Sequence, residues 1–219
     1  MKKYDIIAFD LDGTLTDPAR GLIASYKYAF SKMNITPEPD EALRRFIGPP
    51  LYDEWRALYR LSEEEGNRMI GYFREFFSVY GWWDNELYPG VREMLSDLKA
   101  AGKTLVLSTS KPEVFAKKIL ALFEIDSYFD FVGAADLNHT REKKWEVLDY
   151  ALSSVGAVSG EDRERCIIVG DRIYDAEGAE KCGIDALGVT YGHAVNGELS
   201  RADFVKLCDS CDEVARFLI

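Results

Sequence analysis

The chain has 219 residues, 47% of them apolar, enough to bury a core and to exclude wholesale disorder. Lys and Arg total 27 against 38 for Asp and Glu, a formal net charge of −11. Such acidity repels nucleic acid and anionic lipid, so neither is expected as a partner, but it does not repel a divalent cation.

In chain order, the first apolar run, 6–9, stops at Asp10. It reads as a buried strand and is too short for the apolar part of a signal peptide. Residues 17–83 read as helix after helix, at 21–33, 41–46 and 52–59, then from the Ser62/Glu65 capping-box spacing towards Tyr80. Met69, Tyr72, Phe73, Phe76, Phe77 and Tyr80 recur at helical spacing. That face could stack a base or sugar, but the core of a small helical bundle fits the spacing better. From residue 85 onward, short apolar runs at 104–107, 129–132, 166–169 and 186–189 alternate with helical stretches at 91–101, 113–123, 142–155 and 176–182. A possible edge strand at 203–207 and a helix at 213–218 follow. Runs this short, beside Gly or Asp, suit buried parallel strands. Their alternation with helices implies right-handed crossovers and a doubly wound, Rossmann-like α/β sheet. The expected division is a core of residues 1–16 and 84–219 with an inserted helical domain at 17–83.

No stretch reaches membrane-spanning length, so a cytoplasmic protein with reduced thiols is expected. Of Cys166, Cys182, Cys208 and Cys211, only the last two have metal-like or redox-like spacing, and they lack a second pair.

The segment Asp10-Leu11-Asp12-Gly13-Thr14 is the most informative. A strand ending at Asp10 places that carboxylate at the carboxyl edge of a parallel sheet, where open α/β folds bind ligands. Asp12 lies two residues on, and Gly13 permits a turn that other residues resist. Two such carboxylates can hold a cation or divide nucleophile and acid/base duties; helix capping is the competing reading. A calcium loop is excluded, because Leu15 and Gly21 stand where an EF-hand needs Gly and Glu.

The run 166–170 also ends in a carboxylate, Asp171, and Asp175 follows four residues later. In a parallel sheet both strand ends fall on one edge, so Asp10 and Asp171 could share a cation. Carboxylates converging there without one would repel strongly. Hard oxygen ligands with incomplete protein coordination suit Mg²⁺. Ser108-Thr109-Ser110-Lys111-Pro112 puts hydroxyls and N–H groups before a helix, as an anion cradle or an ordinary cap. Lys143 and Lys144 open a helix, where a cation works against the helix dipole; an anion-binding role is favoured over a solvated charge.

In these motifs the chain resembles the haloacid dehalogenase-like hydrolases over nearly its whole length. Asp10-Leu11-Asp12-Gly13-Thr14 is similar to the family's first motif, Thr109 to its second, Lys144 to its third, and Gly170-Asp171 through Asp175 to its fourth. Ser108 and Lys143 are the neighbours that a one-residue slip would substitute. Phe46-Ile47-Gly48-Pro49-Pro50-Leu51 and Thr109-Ser110-Lys111-Pro112-Glu113 resemble the phosphoglycolate phosphatase-like branch and, closer still, its 5′-nucleotidase-like subgroup.

The resemblance implies a phosphatase whose helical insertion is a small cap. Asp10 is then the nucleophile that forms an aspartyl-phosphate, and Asp12 the acid and base. Mg²⁺ is held by Asp10, the Asp12 carbonyl and Asp171, with Asp175 supporting a ligand water. Thr109, Ser110, Lys144 and the Gly13 turn take the phosphoryl oxygens. Gly48, Pro49 and Arg45, with Arg44 as its neighbour, are the candidates for the leaving group. The resemblance further implies a small phosphate ester as substrate, phosphoglycolate-like or a nucleoside monophosphate, and a monomer or weak homodimer. Dehalogenases lack the second Asp, so Asp12 points to phosphate esters. A sugar-phosphate mutase shares all four motifs, and a non-catalytic binding protein on the same fold is the reading from another class. His139 and His193 have no assigned role and are expected on the surface or in loops.

Overall fold

Runs of four or five apolar residues are too short for buried helices, and in the computed structural model they are strands. It describes residues 4–49, 51–136, 141 and 143–219. In chain order the elements are β1 (Ile6–Phe9), β2 (Thr16–Asp17), α1 (Ala19–Lys32), α2 (Asp40–Leu43), α3 (Leu51–Tyr59), α4 (Glu63–Phe76), β3 (Glu86–Leu87), α5 (Val91–Ala100) and β4 (Thr104–Pro112). They continue with α6 (Glu113–Leu122), β5 (Phe131–Ala135), α7 (Lys144–Ser154), α8 (Glu161–Glu164), β6 (Cys166–Gly170), α9 (Ile173–Cys182), β7 (Asp185–Val189), β8 (Lys206–Cys208) and α10 (Cys211–Leu218).

Two compact units result. One comprises the chain through Thr16 together with Leu87–Ile219, the other Asp17–Glu86. The first carries a six-stranded sheet in the order β5-β4-β1-β6-β7-β8, every pair parallel. Side chains alternate across it. Ile6 and Ala8 join Val106 and Ile168 on the face covered by Leu148, Ala151 and Leu152 of α7 and Ala176 and Ala179 of α9. Ile7 and Phe9 point to the opposite face and are equally buried, so both faces are covered, as a doubly wound sheet requires. The chain leaves β1 in both directions, to β4 and β5 on one side and to β6 and β7 on the other. The crevice between β1 and β6 is therefore the topological switch point where such sheets bind ligands. Phe9 pairs with Val169 there, and the Asp10 N–H donates to the Val169 carbonyl at 2.9 Å, so Asp10 and Asp171 emerge side by side.

Several boundaries differ from the sequence expectation for physical reasons. Strand β4 runs on to Pro112 rather than stopping at 107, and its pairing with β5 shifts register between Thr109 and Pro112. Helix α9 starts at Ile173, three residues before the apolar pattern, because the Asp175 carboxylate accepts the Arg172 N–H at 3.1 Å and closes the first turn. Helix α10 starts at Cys211 because the Ser210 hydroxyl caps the Glu213 N–H. The edge strand lies at Lys206–Cys208 rather than 203–207.

The inserted unit is a small aromatic-centred bundle. Trp55 of α3 is buried against Tyr26 and Phe30 of α1, Phe46, and Phe73 of α4. The Ser62/Glu65 capping box forms at the start of α4. Met69, Phe73 and Phe77 supply the core-facing stripe, whereas Tyr80 is 56% exposed, so the aromatic face is only partly core. Past Phe76 the helix widens into a π-turn over Phe77–Gly81, in which the Trp82 N–H donates to the Phe77 carbonyl. All four cysteines are buried. Among the described residues no helix is long and apolar enough to cross a membrane.

Candidate active site

At the switch point the carboxylates of Asp10, Asp171 and Asp175 each offer an oxygen within 4.8 Å of the others. Asp10 follows β1 on the side of the sheet that Ile6 and Ala8 share, where α7 lies. Helix α7 opens with Lys144, whose Nζ lies 2.7 Å from Asp10 Oδ1 and 2.7 Å from Asp175 Oδ1, and donates to the Ser108 carbonyl at 2.8 Å. Lys143 is exposed, so of the two adjacent lysines the structure brings Lys144 to the carboxylates. Glu142 and His139 lie outside the described residues.

Gly13 has φ +88°, a left-handed turn, and its N–H donates to the Thr16 carbonyl at 2.8 Å. A Cβ there would fall 2.1 Å from Asp171 Oδ2, so only glycine lets this turn pass the carboxylate. Thr14 Oγ1 approaches Asp171 Oδ1 at 3.5 Å. Asp171 Oδ2 accepts the His193 N–H at 2.7 Å. His193, expected on the surface or in a loop, lies in the loop after β7, is 6% exposed and meets the site through its backbone. Gly192 beside it packs so closely that a Cβ would meet Asp171 Oδ2 at 2.4 Å.

On β4, Thr109 and Ser108 are both buried. The Thr109 hydroxyl accepts the Lys111 N–H at 3.2 Å, while the Ser108 hydroxyl is enclosed and has no hydrogen-bond partner among the described residues. Ser110 is exposed. Lys111, part of the Thr109–Glu113 motif but without a role of its own there, places its Nζ 2.5 Å from Asp12 Oδ2. The available signal was its spacing of two from Thr109 on one strand, and it required reading β4 past its apolar run. Arg172 and Glu198 form another unforeseen pair, 2.8 Å apart with side chains 6% and 3% exposed.

Crowding of buried acids governs the electrostatics. Burial, then the Asp175 and Asp10 carboxylates, push the Asp171 carboxyl well above its usual range, against the His193 N–H and Arg172. Burial raises Asp175 to about 6 despite the Lys144 ammonium beside it. For Lys144, burial works against the charge, but Asp10 and Asp175 more than offset it and raise its pKa. When ionised, Asp10, Asp12, Asp171 and Asp175 carry two more charges than Lys111 and Lys144 neutralise. An all-oxygen donor set with an uncompensated double charge fits a hard divalent cation.

In the helical unit, Gly48 takes φ +111° and is exposed, Pro49 is buried, and Pro50 lies outside the described residues. Arg45 is held by Glu38 at 2.5 Å, donates to the Ala42 carbonyl, and lies over the Phe46 ring. Its guanidinium is thus engaged inside the bundle. Arg44 approaches Glu41 at 3.4 Å and Asp17 at 3.9 Å.

Comparison with known proteins identifies the family. The family model described as haloacid dehalogenase-like hydrolase matches residues 7–189. The chain belongs to that family. A 5′-nucleotidase of Pseudomonas aeruginosa is 38% identical over 90% of this chain and 87% of its own. Tyrosine-protein kinase PtkA of Mycobacterium tuberculosis is 35% identical over 91% of this chain, which spans 65% of that protein. Among solved structures, a predicted phosphatase from Clostridium acetobutylicum superposes with a TM-score of 0.91 at 38% identity, covering 99% of this chain and 98% of its own. Phosphoglycolate phosphatases and a pyrophosphatase are further relatives. The chain is thus a hydrolase by family, with relatives named as phosphatases on both sequence and structure.

Proposed function

We propose that this chain is a Mg²⁺-dependent phosphomonoester hydrolase acting on a small phosphorylated metabolite through an aspartyl-phosphate on Asp10. The observation that carries the reading is the convergence of Asp10, Asp171 and Asp175, with Lys144 between Asp10 and Asp175 and Asp12 two residues from the nucleophile. Asp10 attacks the phosphorus in line as the ester P–O bond breaks, and Asp12 gives a proton to the departing alcohol. Asp12 then takes a proton from water, which attacks the aspartyl-phosphate, releases phosphate and frees Asp10. The Thr109 hydroxyl, the Ser110 N–H, the Gly13 turn and Lys144 hold the phosphoryl oxygens, and Lys144 also keeps Asp10 oriented.

Asp10, the Asp12 carbonyl and Asp171 would hold Mg²⁺, with Asp175 supporting a ligand water. When bound, the ion offsets repulsion between carboxylate and phosphate and stabilises charge in the transition state. Residues 17–83 are the proposed cap, with Gly48 and Pro49 as its candidate substrate residues. Arg45 contributes there only by giving up Glu38. The 5′-nucleotidase relative supports a nucleoside 5′-monophosphate as substrate, and the phosphoglycolate phosphatases support phosphoglycolate. Four buried cysteine thiols support a cytoplasmic setting.

The test is phosphate release from a panel of nucleoside monophosphates, phosphoglycolate and sugar phosphates, with Mg²⁺ or EDTA. Release that needs Mg²⁺ and disappears in Asp10→Asn is expected. Asp10→Asn matching the wild type, or a sugar phosphate isomerised without phosphate release, would sink the reading.

A further inference from the structure

We propose that Lys111 is a positioning residue for Asp12, fixing which carboxylate oxygen serves the leaving group. This rests on Asp12 being the acid in the reading above. Asp12 sits in the turn that Gly13 makes after β1, where the backbone is fixed but the side chain retains its own torsions. Lys111 removes that freedom. Its Nζ is 2.5 Å from Asp12 Oδ2, and the two side chains are 6% and 15% exposed, so the pair is shielded from competing water. Lys111 is itself anchored, because it lies on β4 and its N–H donates to the Thr109 hydroxyl at 3.2 Å. Asp12 Oδ1, by contrast, is enclosed and has no hydrogen-bond partner among the described residues. Buried polar atoms are normally satisfied, so an orphaned acceptor in a catalytic crevice marks a place where a ligand hydroxyl or water completes the bond.

The division of labour follows. Lys111 occupies Oδ2 throughout. Oδ1 passes its proton to the alkoxide oxygen as the bond from that oxygen to phosphorus breaks and the bond from Asp10 forms. Holding an acid in reach of the leaving oxygen matters most when the leaving group is a poor one.

The experiment compares kcat/KM, which reports the steps through leaving-group departure. The substrates are adenosine 5′-monophosphate, an alkyl ester, and p-nitrophenyl phosphate, whose phenolate leaves without protonation. The enzymes are wild type, Lys111→Met, Lys111→Arg and Asp12→Asn, all in saturating Mg²⁺. Lys111→Met is expected to lose about 10²-fold on adenosine 5′-monophosphate and at most about threefold on p-nitrophenyl phosphate. Lys111→Arg should regain part of the loss. Equal losses on both substrates would mean that Lys111 holds the phosphoryl group or the fold, and would overturn the proposal. Unchanged rates in Lys111→Met would also overturn it. A selective loss in Asp12→Asn without one in Lys111→Met overturns the positioning role alone. No selective loss in Asp12→Asn overturns the acid role and the positioning role with it.

Discussion

Glu198 reaches across 26 residues of chain to pair with Arg172, the residue next to Asp171. The same carboxylate accepts the Ile173 and Val195 N–H groups at 2.8 Å each. It thereby joins the start of α9 to the loop whose His193 N–H holds Asp171. Burial alone would raise the Glu198 pKa, yet Arg172 and the two N–H groups overcome it and hold the carboxyl below its usual range.

Removing Glu198 should therefore loosen the site as well as destabilise the chain. Glu198→Ala leaves the Arg172 guanidinium buried without this partner, which costs about 3–5 kcal/mol. Denaturant unfolding should show that loss, with a raised Mg²⁺ requirement for phosphate release. A variant as stable as the wild type with an unaltered Mg²⁺ dependence would refute the linkage.

The adjacent lysines make a cleaner comparison. Lys144→Met strands Asp10 and Asp175 without the ammonium between them, and turnover should fall by about 10²–10³-fold. Lys143→Met removes only an exposed charge and should leave turnover unchanged and stability within about 0.5 kcal/mol. Steady-state phosphate release on both variants decides it; equal effects would contradict the geometry.

What the sequence made legible follows from how local each signal was. Asp10 and Asp171 could be placed together because both end apolar runs, and parallel strands put such ends on one edge. Lys111 was obscure because β4 continues through Ser108, Thr109, Ser110 and Lys111, a stretch without apolar periodicity and with a register shift. The π-turn at Phe77–Gly81 was invisible because the aromatic spacing runs through it unchanged. His193 reaches Asp171 through its N–H, a group every residue type but proline carries, so its side chain gave no signal. The Arg172–Glu198 pair joins residues too far apart in sequence for any spacing rule.

In the helical unit, Arg45 holds Glu38 at 2.5 Å and keeps its carboxyl below the usual range. A lowered folded pKa gives stability that is present above the unfolded value and lost as pH falls through the folded one. The Glu38 side chain is 38% exposed, so screening keeps the contribution to about 0.5 kcal/mol. Glu38→Gln should be less stable than wild type by that amount at pH 7, with the gap closing below about pH 4. Urea unfolding at pH 7 and pH 3 tests it; a gap that widens in acid would contradict it.

Metal removal should show the opposite pH trend. Asp171 and Asp175 have raised folded values, Asp175 to about 6, so the protonated forms are favoured in the folded chain. Their contribution is fully present below the unfolded value of about 4 and is lost as pH rises through the folded values. In EDTA, the Asp175 contribution should therefore decline between about pH 4 and pH 7 as like charges accumulate in a buried site. A divalent cation pairs with the ionised forms and competes with protons for the same oxygens. Mg²⁺ at 100 times its Kd should then restore about 2.7 kcal/mol near pH 7.5 and far less near pH 4.5. Thermal unfolding at both pH values, with Mg²⁺ or EDTA, measures the difference. Equal Mg²⁺ stabilisation at the two values would show that the carboxylates are not the ion's ligands. In Asp171→Asn the EDTA decline should shrink together with the Mg²⁺ effect, because one substitution removes both a repelling charge and a ligand.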